Sequence, residues 1–135
     1  MEPKITFRGW AGHFICGDKC RFRLNTLIEY KDIKIVVSTV GVLPDPLAEA
    51  GKPPLSISDR GFMTIGHERH FETMAFHAEF DGKFWDANVQ RQVNFESQWS
   101  WKDLDSEQAA NDGHYNVIDE ICLRLKAGEK FEHND

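Results

Sequence analysis

The length, composition and charge of this chain are typical of a globular protein and narrow the functions to be considered. Its 135 residues are 41% hydrophobic and 28% charged, with a formal net charge of −6. A chain of this size can bury a core without disulfides or a structural metal, so we expect one domain over residues 1–135. The negative charge disfavours binding to nucleic acid, because neutralising phosphates supplies most of that affinity.

The sequence predicts neither export nor membrane insertion. No apolar run approaches the roughly 20 residues that a membrane-spanning helix needs, and the N-terminus lacks the apolar stretch of a signal peptide. Cys16, Cys20 and Cys122 form an odd set of three cysteines, as expected for reduced thiols. We therefore predict a cytoplasmic protein that does not contact a membrane.

The first part of the chain is predicted to form strands. Residues 4–10 and 13–16 have the composition of short strands, and glycines interrupt both. Residues 20–30 and 33–42 are predicted to pair as a hairpin that turns at Lys31-Asp32, with Glu29 opposite Lys34 and Ile28 opposite Ile35. Residues 43–60 contain four of the five prolines and are predicted to form a long loop.

A second hairpin is predicted at Asp81-Gly82, since Asp-Gly between alternating segments favours a two-residue type I′ turn. After a strand piece at 61–65, the sequence alternates on both sides of this turn. The implied register places Phe80 opposite Lys83, His77 opposite Asp86 and Glu72 opposite Arg91.

The C-terminal part is predicted to add one strand and one helix. Residues 94–101 alternate, with Trp99 and Trp101 on one side. The helix is expected from about Ser106 to Ala127, with Asp105 as N-cap, Gly113 weakening its middle and Gly128 ending it. Its core-facing stripe comprises Ala110, His114, Val117, Ile118, Ile121, Cys122 and Leu125. The predicted class is α+β: an antiparallel sheet built from hairpins, with one principal C-terminal helix packed on it.

His77 and Asp86 are the candidate catalytic residues. A carboxylate opposite an imidazole can orient the ring and raise its basicity, as general-base catalysis requires. The sequence places no nucleophile beside them, and a cross-strand pair of this kind also serves simply to stabilise a sheet. A small enzyme, with or without a metal, is therefore one alternative function.

His13, Cys16 and Cys20 are the candidate metal ligands, since thiolates and imidazole suit zinc. Their spacing departs from that of structural zinc sites and the fourth ligand is missing, so we predict neither bound zinc nor any cofactor. The run His67-Glu68-Arg69-His70 does not match a zinc-protease motif and is predicted to be a solvated loop.

Aromatic and basic residues supply the candidate binding sites. Trp99 and Trp101 share a strand face and could act as anchors for a partner, or could close the core. Trp10, Arg21 and Arg23 belong to a basic-aromatic run at residues 7–23 that could follow a single nucleic-acid strand. The alternative is that the aromatic residues of this run are core and its cations are solvated.

Several segments resemble a group of small, uncharacterised proteins encoded in phage and prophage genomes. They are FRGWAGHFICGDKCRFRLNTLI, IVVSTVG, RHFETMAFHAE, WDANVQRQVNFES and AANDGH. The resemblance implies a single-domain protein of phage or mobile-element origin, and it implies no activity, cofactor or catalytic residue. Small phage accessory proteins often bind other proteins. We therefore expect a non-catalytic protein-binding module whose partner is a host or phage protein.

Overall fold

An antiparallel sheet carries one long helix on one of its faces, which confirms the predicted α+β class. The structure is a computed structural model, and it describes residues 1–10, 12–13, 17–53, 59–65, 68–93 and 99–131. The strands are β1 (Lys4–Arg8), β2 (Phe22–Tyr30), β3 (Ile33–Gly41), β4 (Leu43–Pro44), β5 (Phe62–Met63), β6 (Phe71–Phe80), β7 (Trp85–Val93) and β8 (Ser100–Trp101). The helices are α1 (Pro46–Glu49) and α2 (Glu107–Lys126).

Within these described residues the main sheet has the strand order β1-β2-β3-β6-β7, and β8 also pairs with β6. β7 pairs with the C-terminal part of β6, and β8 pairs with its first two residues. β4 and β5 form a separate two-stranded ladder. Each of these ladders is antiparallel. Neither helix of the described residues is long and apolar enough to cross a membrane.

The β2–β3 hairpin has the predicted register. Glu29 lies opposite Lys34 and Ile28 lies opposite Ile35, and the pairing continues without interruption to Phe22 and Gly41. Lys31 takes the positive φ of 55° that the tight turn requires, although it is not glycine. β3 is buried from Ile35 to Gly41, as expected for a central strand covered on both faces.

The β6–β7 hairpin forms where predicted, but the predicted register was wrong. Phe80 pairs with Trp85 and not with Lys83, and Asp86 lies opposite Glu79 and not opposite His77. The loop is wider than two residues because the Asp81 carboxylate accepts hydrogen bonds from the backbone N–H groups of Lys83 and Phe84, at 2.9 and 2.7 Å.

A β-bulge then shifts the register again. Ala78 pairs with Ala87, but Phe76 pairs with Gln92, so residues 88–91 bulge out of the ladder. Within this bulge the Asn88 side chain accepts a hydrogen bond from the Gln90 backbone N–H at 3.0 Å, in competition with the ladder. Local side-chain bonds at Asp81 and Asn88 thus override the register that the alternating pattern favoured.

α2 buries the predicted stripe against one sheet face, which we call the helix face. Ala110, His114, Val117, Ile118, Ile121 and Leu125 are buried, whereas Cys122 is only partly so. The helix starts one residue later than expected, with Ser106 and not Asp105 at the N-cap. Gly128 has a φ of +95° and follows the helix as predicted.

The opposite sheet face is covered in part by Gly12 and His13, which lie between β1 and β2. The backbone N–H of His13 donates a hydrogen bond to Ser38 Oγ on β3 at 3.1 Å. A Cβ on Gly12 would come within 1.8 Å of a Val40 methyl carbon, so only glycine fits this crossing. The predicted strand at 13–16 falls mostly outside the described residues, and His13 itself is not in a strand.

The 43–60 segment is more ordered than predicted. Its described residues include β4 and the short helix α1 within the segment that was predicted as a long loop. The Asp45 carboxylate accepts a hydrogen bond from the Leu47 N–H at 2.9 Å, and Pro46 occupies the first turn. An N-cap aspartate followed by proline is a helix-start signal, although prolines also mark loops.

Candidate functional site

The structure does not bring His77 and Asp86 together as a catalytic pair. Asp86 is exposed and lies opposite Glu79, and its carboxylate accepts a hydrogen bond from the Ala87 N–H at 2.7 Å. His77 is buried beside the bulge and its Nε2 donates to the Phe131 carbonyl oxygen. The widened loop at Asp81 shifts β7 by two positions, and this shift separates the two side chains that the sequence placed opposite each other.

His13 belongs to a chain of polar contacts that the sequence did not predict. Its Nδ1 lies 3.0 Å from Ser38 Oγ, and its Nε2 lies 3.0 Å from a carboxylate oxygen of Glu72. Arg69 Nε is 3.1 Å from the other Glu72 oxygen. The order serine–imidazole–carboxylate matches a hydrolase triad. Here, however, the serine is at the buried end, at 1% exposure, where a substrate has no access.

The other candidate metal ligands have different surroundings. Cys20 is buried in an apolar cluster with Val40, Leu43 and Ile65, and Cys16 lies outside the described residues. Across the described residues no group of three potential ligands is close enough to hold a metal ion. Both His13 ring nitrogens are already in hydrogen-bond contact, so the ring is a positioning element for the segment crossing the sheet.

The prediction of a solvated loop was wrong for His70, which is buried at 6% exposure. Its backbone N–H donates to the Trp101 carbonyl oxygen at 3.0 Å, which places it at the start of β6 beside β8. Arg69 and Glu72, by contrast, line an open cavity of about 370 Å³ together with Trp99 and Gln92.

Trp101 is a core residue and not a surface anchor. It is 7% exposed and packs with Phe71 and Ala110. A Cβ on Gly113 would lie 2.2 Å from a ring carbon of Trp101, so the indole occupies the space that the missing side chain leaves. The glycine predicted to weaken α2 is what allows the indole to close the core. Trp99 is partly buried against the helix-face core, and residues 94–98 lie outside the described part of the chain.

The three arginines of the basic-aromatic run each have a separate protein contact. The Arg8 guanidinium stacks on Trp10 at 3.7 Å and donates to Asn25 Oδ1 at 2.9 Å. Burial lowers the Arg8 pKa from its ordinary value, while Asp86 and Glu29 act to raise it. Arg21 pairs with Glu49 at 3.1 Å, and Arg23 donates to the Asp18 carbonyl oxygen at 3.5 Å. These contacts direct the cations to different neighbours.

His114 joins α2 to three strands through buried hydroxyl groups. Its Nε2 lies 2.9 Å from Thr26 Oγ1 and its Nδ1 lies 2.7 Å from Thr39 Oγ1, which in turn lies 2.7 Å from Thr73 Oγ1. Burial lowers the pKa of His114 to about 4. The ring is therefore neutral at pH 7, with one nitrogen donating and the other accepting. Because the ring is fully buried, this group is structural.

An exposed apolar surface lies between the edge strand β1 and α2, and the sequence reasoning missed it. Its four members are Ile5 and Phe7 from β1, at 39% and 62% exposure, and Tyr115 and Leu123 from α2, at 39% and 62%. We call these four residues the β1–α2 surface. The Phe7 and Tyr115 ring centroids are 5.8 Å apart. The sequence signal was available: Tyr115 and Leu123 are apolar residues outside the helix stripe, where solvent contact is expected.

A groove adjoins the Ile5 and Leu123 end of this surface. It is a cavity of about 430 Å³ whose lining includes Ile5, Leu123 and the partly buried Cys122. Glu2 and Lys126 stand at its rim and form an ion pair at 3.2 Å. Burial, followed by the neighbouring Asp119, raises the pKa of the Cys122 thiol. The thiol therefore stays protonated at neutral pH and contributes an apolar wall.

Comparisons with known proteins give no significant match to a family model, a curated protein or a solved structure. The resemblance to phage-encoded proteins therefore stays a prediction.

Proposed function

We propose that this chain is a non-catalytic protein-binding module and that its contact surface is the β1–α2 surface. The observation that carries the proposal is the side-by-side exposure of Ile5, Phe7, Tyr115 and Leu123 at one edge of the sheet. Exposed apolar side chains are ordinary when they are scattered. A group that lies together beside an edge strand, with Ile5 and Leu123 lining a groove, points to a partner.

The composition of this surface supports a protein interface. Its centre is apolar and includes two aromatic rings, and its rim carries the Glu2–Lys126 ion pair and Asp119. An apolar, aromatic centre with a polar rim is the usual anatomy of a protein–protein interface. Leu123 and Phe7 are the most exposed of the four, so they are the candidate anchors.

The backbone of β1 supports a particular mode of binding. Among the described residues β1 pairs with β2 alone, so its outer edge presents N–H and C=O groups that another strand can use. An extended segment added along this edge would place alternate side chains over Ile5 and Phe7, and would meet α2 at Tyr115 and Leu123. The expected partner is accordingly a host or phage protein that contributes an extended apolar segment.

Site-specific photo-crosslinking tests the proposal. A photoreactive phenylalanine analogue is placed at Phe7 and, as the matched control, at Val89, which is 60% exposed on β7. Both proteins are irradiated in an extract of the bacterial host. We expect a discrete adduct from position 7 alone, and we expect Leu123→Asp to remove that adduct without changing the melting temperature.

Three results would count against this function. Equal adducts from positions 7 and 89 would indicate non-specific contact, and the lack of any adduct at position 7 would indicate that the surface is unused. An adduct with twice the mass of the chain, together with a dimer in solution, would assign the surface to self-association.

A further inference from the structure

A further pocket opens at the end of the β3–β6 ladder, where the two strands separate. Their ladder ends at the Ile35–His77 pair, so the first residues of β3 diverge from the end of β6. The bulge in β7 brings Arg91 to the same place. The resulting cavity of about 260 Å³ is lined by Lys34, His77, Trp85, Arg91, Lys130 and Asp32, among others. We call it the corner pocket.

The chain reversal after α2 completes this pocket. Gly128 takes a φ of +95°, and the Glu129 N–H donates to the Arg124 carbonyl oxygen at 3.0 Å. The chain then returns towards the sheet, where the Phe131 carbonyl oxygen accepts from His77 Nε2. Lys130 is carried into the pocket by this return, so the cations of the pocket come from three separate parts of the chain.

The pocket concentrates positive charge on an acidic protein. It holds Lys34, Arg91 and Lys130 against the single carboxylate of Asp32, although the whole chain has a net charge of −6. Among the described residues neither the Arg91 nor the Lys130 side chain makes a hydrogen bond or an ion pair. Other arginines among the described residues do pair with carboxylates: Arg21, Arg60 and Arg124, at 3.1, 2.8 and 2.9 Å. Unpaired cations around one cavity repel each other, and a bound anion would remove that repulsion.

Trp85 gives the pocket an aromatic wall. The Lys34 ammonium lies 4.7 Å from the Trp85 ring centroid, which holds the cation at the cavity. The Trp85 carbonyl oxygen accepts a hydrogen bond from Arg8 Nη1 at 2.5 Å, and this fixes the backbone at the start of β7. The backbone of the aromatic wall is thus held from outside the cavity, and Lys34 is held against the wall itself.

We propose that the corner pocket binds a small phosphorylated molecule. Arg91 has the planar fork that can hold two phosphate oxygens, and the two lysines add point charges. Three cations around one cavity match the charge of a phosphoryl group better than that of a single carboxylate. Trp85 would contact the planar or apolar remainder of the ligand. This site is separate from the β1–α2 surface and does not depend on the proposed function.

Titration with inorganic phosphate and pyrophosphate tests the proposal. Binding is measured by calorimetry and by the NMR signal of the Trp85 indole N–H, assigned with Trp85→Phe, at constant ionic strength set with chloride. We expect saturable binding of pyrophosphate that shifts the Trp85 signal. Arg91→Gln should weaken it about tenfold, as expected for loss of a charge-assisted contact. The matched control Lys52→Gln makes the same change in net charge on the exposed segment after α1 and should leave binding unchanged.

Other outcomes would overturn the proposal. They include the absence of a Trp85 shift at constant ionic strength and an equal loss of binding in Arg91→Gln and Lys52→Gln. Tighter binding of a single-stranded oligonucleotide than of pyrophosphate, lost in Arg91→Gln, would replace the small ligand with nucleic acid. Each variant is accepted only if its melting temperature matches that of the parent. Lys130→Gln changes a second cation of the pocket, on a separate segment, and should also weaken pyrophosphate binding.

Discussion

The buried imidazole of His114 should make the stability of this protein depend on pH over a defined range. Burial lowers its pKa in the folded protein to about 4, from an ordinary value of 6.5. The unfolded chain therefore binds a proton between these pH values and the folded chain does not. The free energy of unfolding should be fully retained above pH 6.5 and should fall as the pH decreases towards 4.

The size of this effect follows from the two pKa values. Each pH unit between the two pKa values lowers the free energy of unfolding by about 1.4 kcal/mol. The whole interval therefore lowers it by up to about 3 kcal/mol. That is a large part of the roughly 5–15 kcal/mol that stabilises an ordinary domain. Protonation would also leave the ring with two N–H donors facing Thr26 and Thr39, so one hydroxyl would have to reverse its hydrogen bond.

Urea denaturation of the parent and of His114→Gln at several pH values between 4.5 and 7.5 measures this contribution. Carboxylates titrate in both proteins, so the difference between the two curves isolates His114. We expect the parent to lose stability faster towards low pH, by up to about 1.4 kcal/mol per pH unit below pH 6.5. Parallel curves would refute this argument. Should the variant fail to fold, an NMR titration of the His114 ring in the parent gives the folded pKa directly, and a value near 6.5 would refute it equally.

Three destabilising substitutions and one neutral control test the packing and turn arguments by thermal and urea denaturation. Gly113→Ala should destabilise the protein by about 1–3 kcal/mol, because the new Cβ would overlap the Trp101 ring. In an open helix the same change would stabilise by about 1 kcal/mol, so a higher melting temperature would contradict this prediction. Trp101→Ala should destabilise the protein by about 3–5 kcal/mol, because it truncates a core side chain. Unchanged stability would contradict the assignment of Trp101 to the core. Gly82→Val should cost about 1–2 kcal/mol, since Gly82 has a φ of +99°, whereas Gly9→Ala in open space should be neutral.

The parts of the fold that follow from local pattern could be predicted from sequence. The α2 stripe was correct apart from the half-exposed Cys122, because side chains three and four residues apart must share a helix face. The β2–β3 register was correct to the residue, since its cross-strand pairs agree with the turn at Lys31-Asp32. The ends of β1 and α2 were predicted less accurately, because the end of an element depends on caps and neighbours.

The parts that depend on distant residues could not be predicted in the same way. Whether Trp101 closes the core or faces solvent depends on Gly113, which leaves room for the indole on a different element. The role of His13 depends on Ser38 and Glu72, which meet it only after the β1–β2 segment has crossed the sheet. No spacing within residues 9–20 contains this information.

The incorrect register of the β6–β7 hairpin and the corner pocket have the same physical origin. In the register that alternation favours, Arg91 would lie opposite Glu72 and the two charges would pair. In the structure the Asp81 and Asn88 turns displace β7, so Ser100 takes the position opposite Glu72. Glu72 then pairs with Arg69 and His13, and Arg91 is left in a cavity with Lys34 and Lys130. A regular hairpin would have neutralised this arginine on the sheet, and the bulge that breaks the alternation makes it available to a ligand.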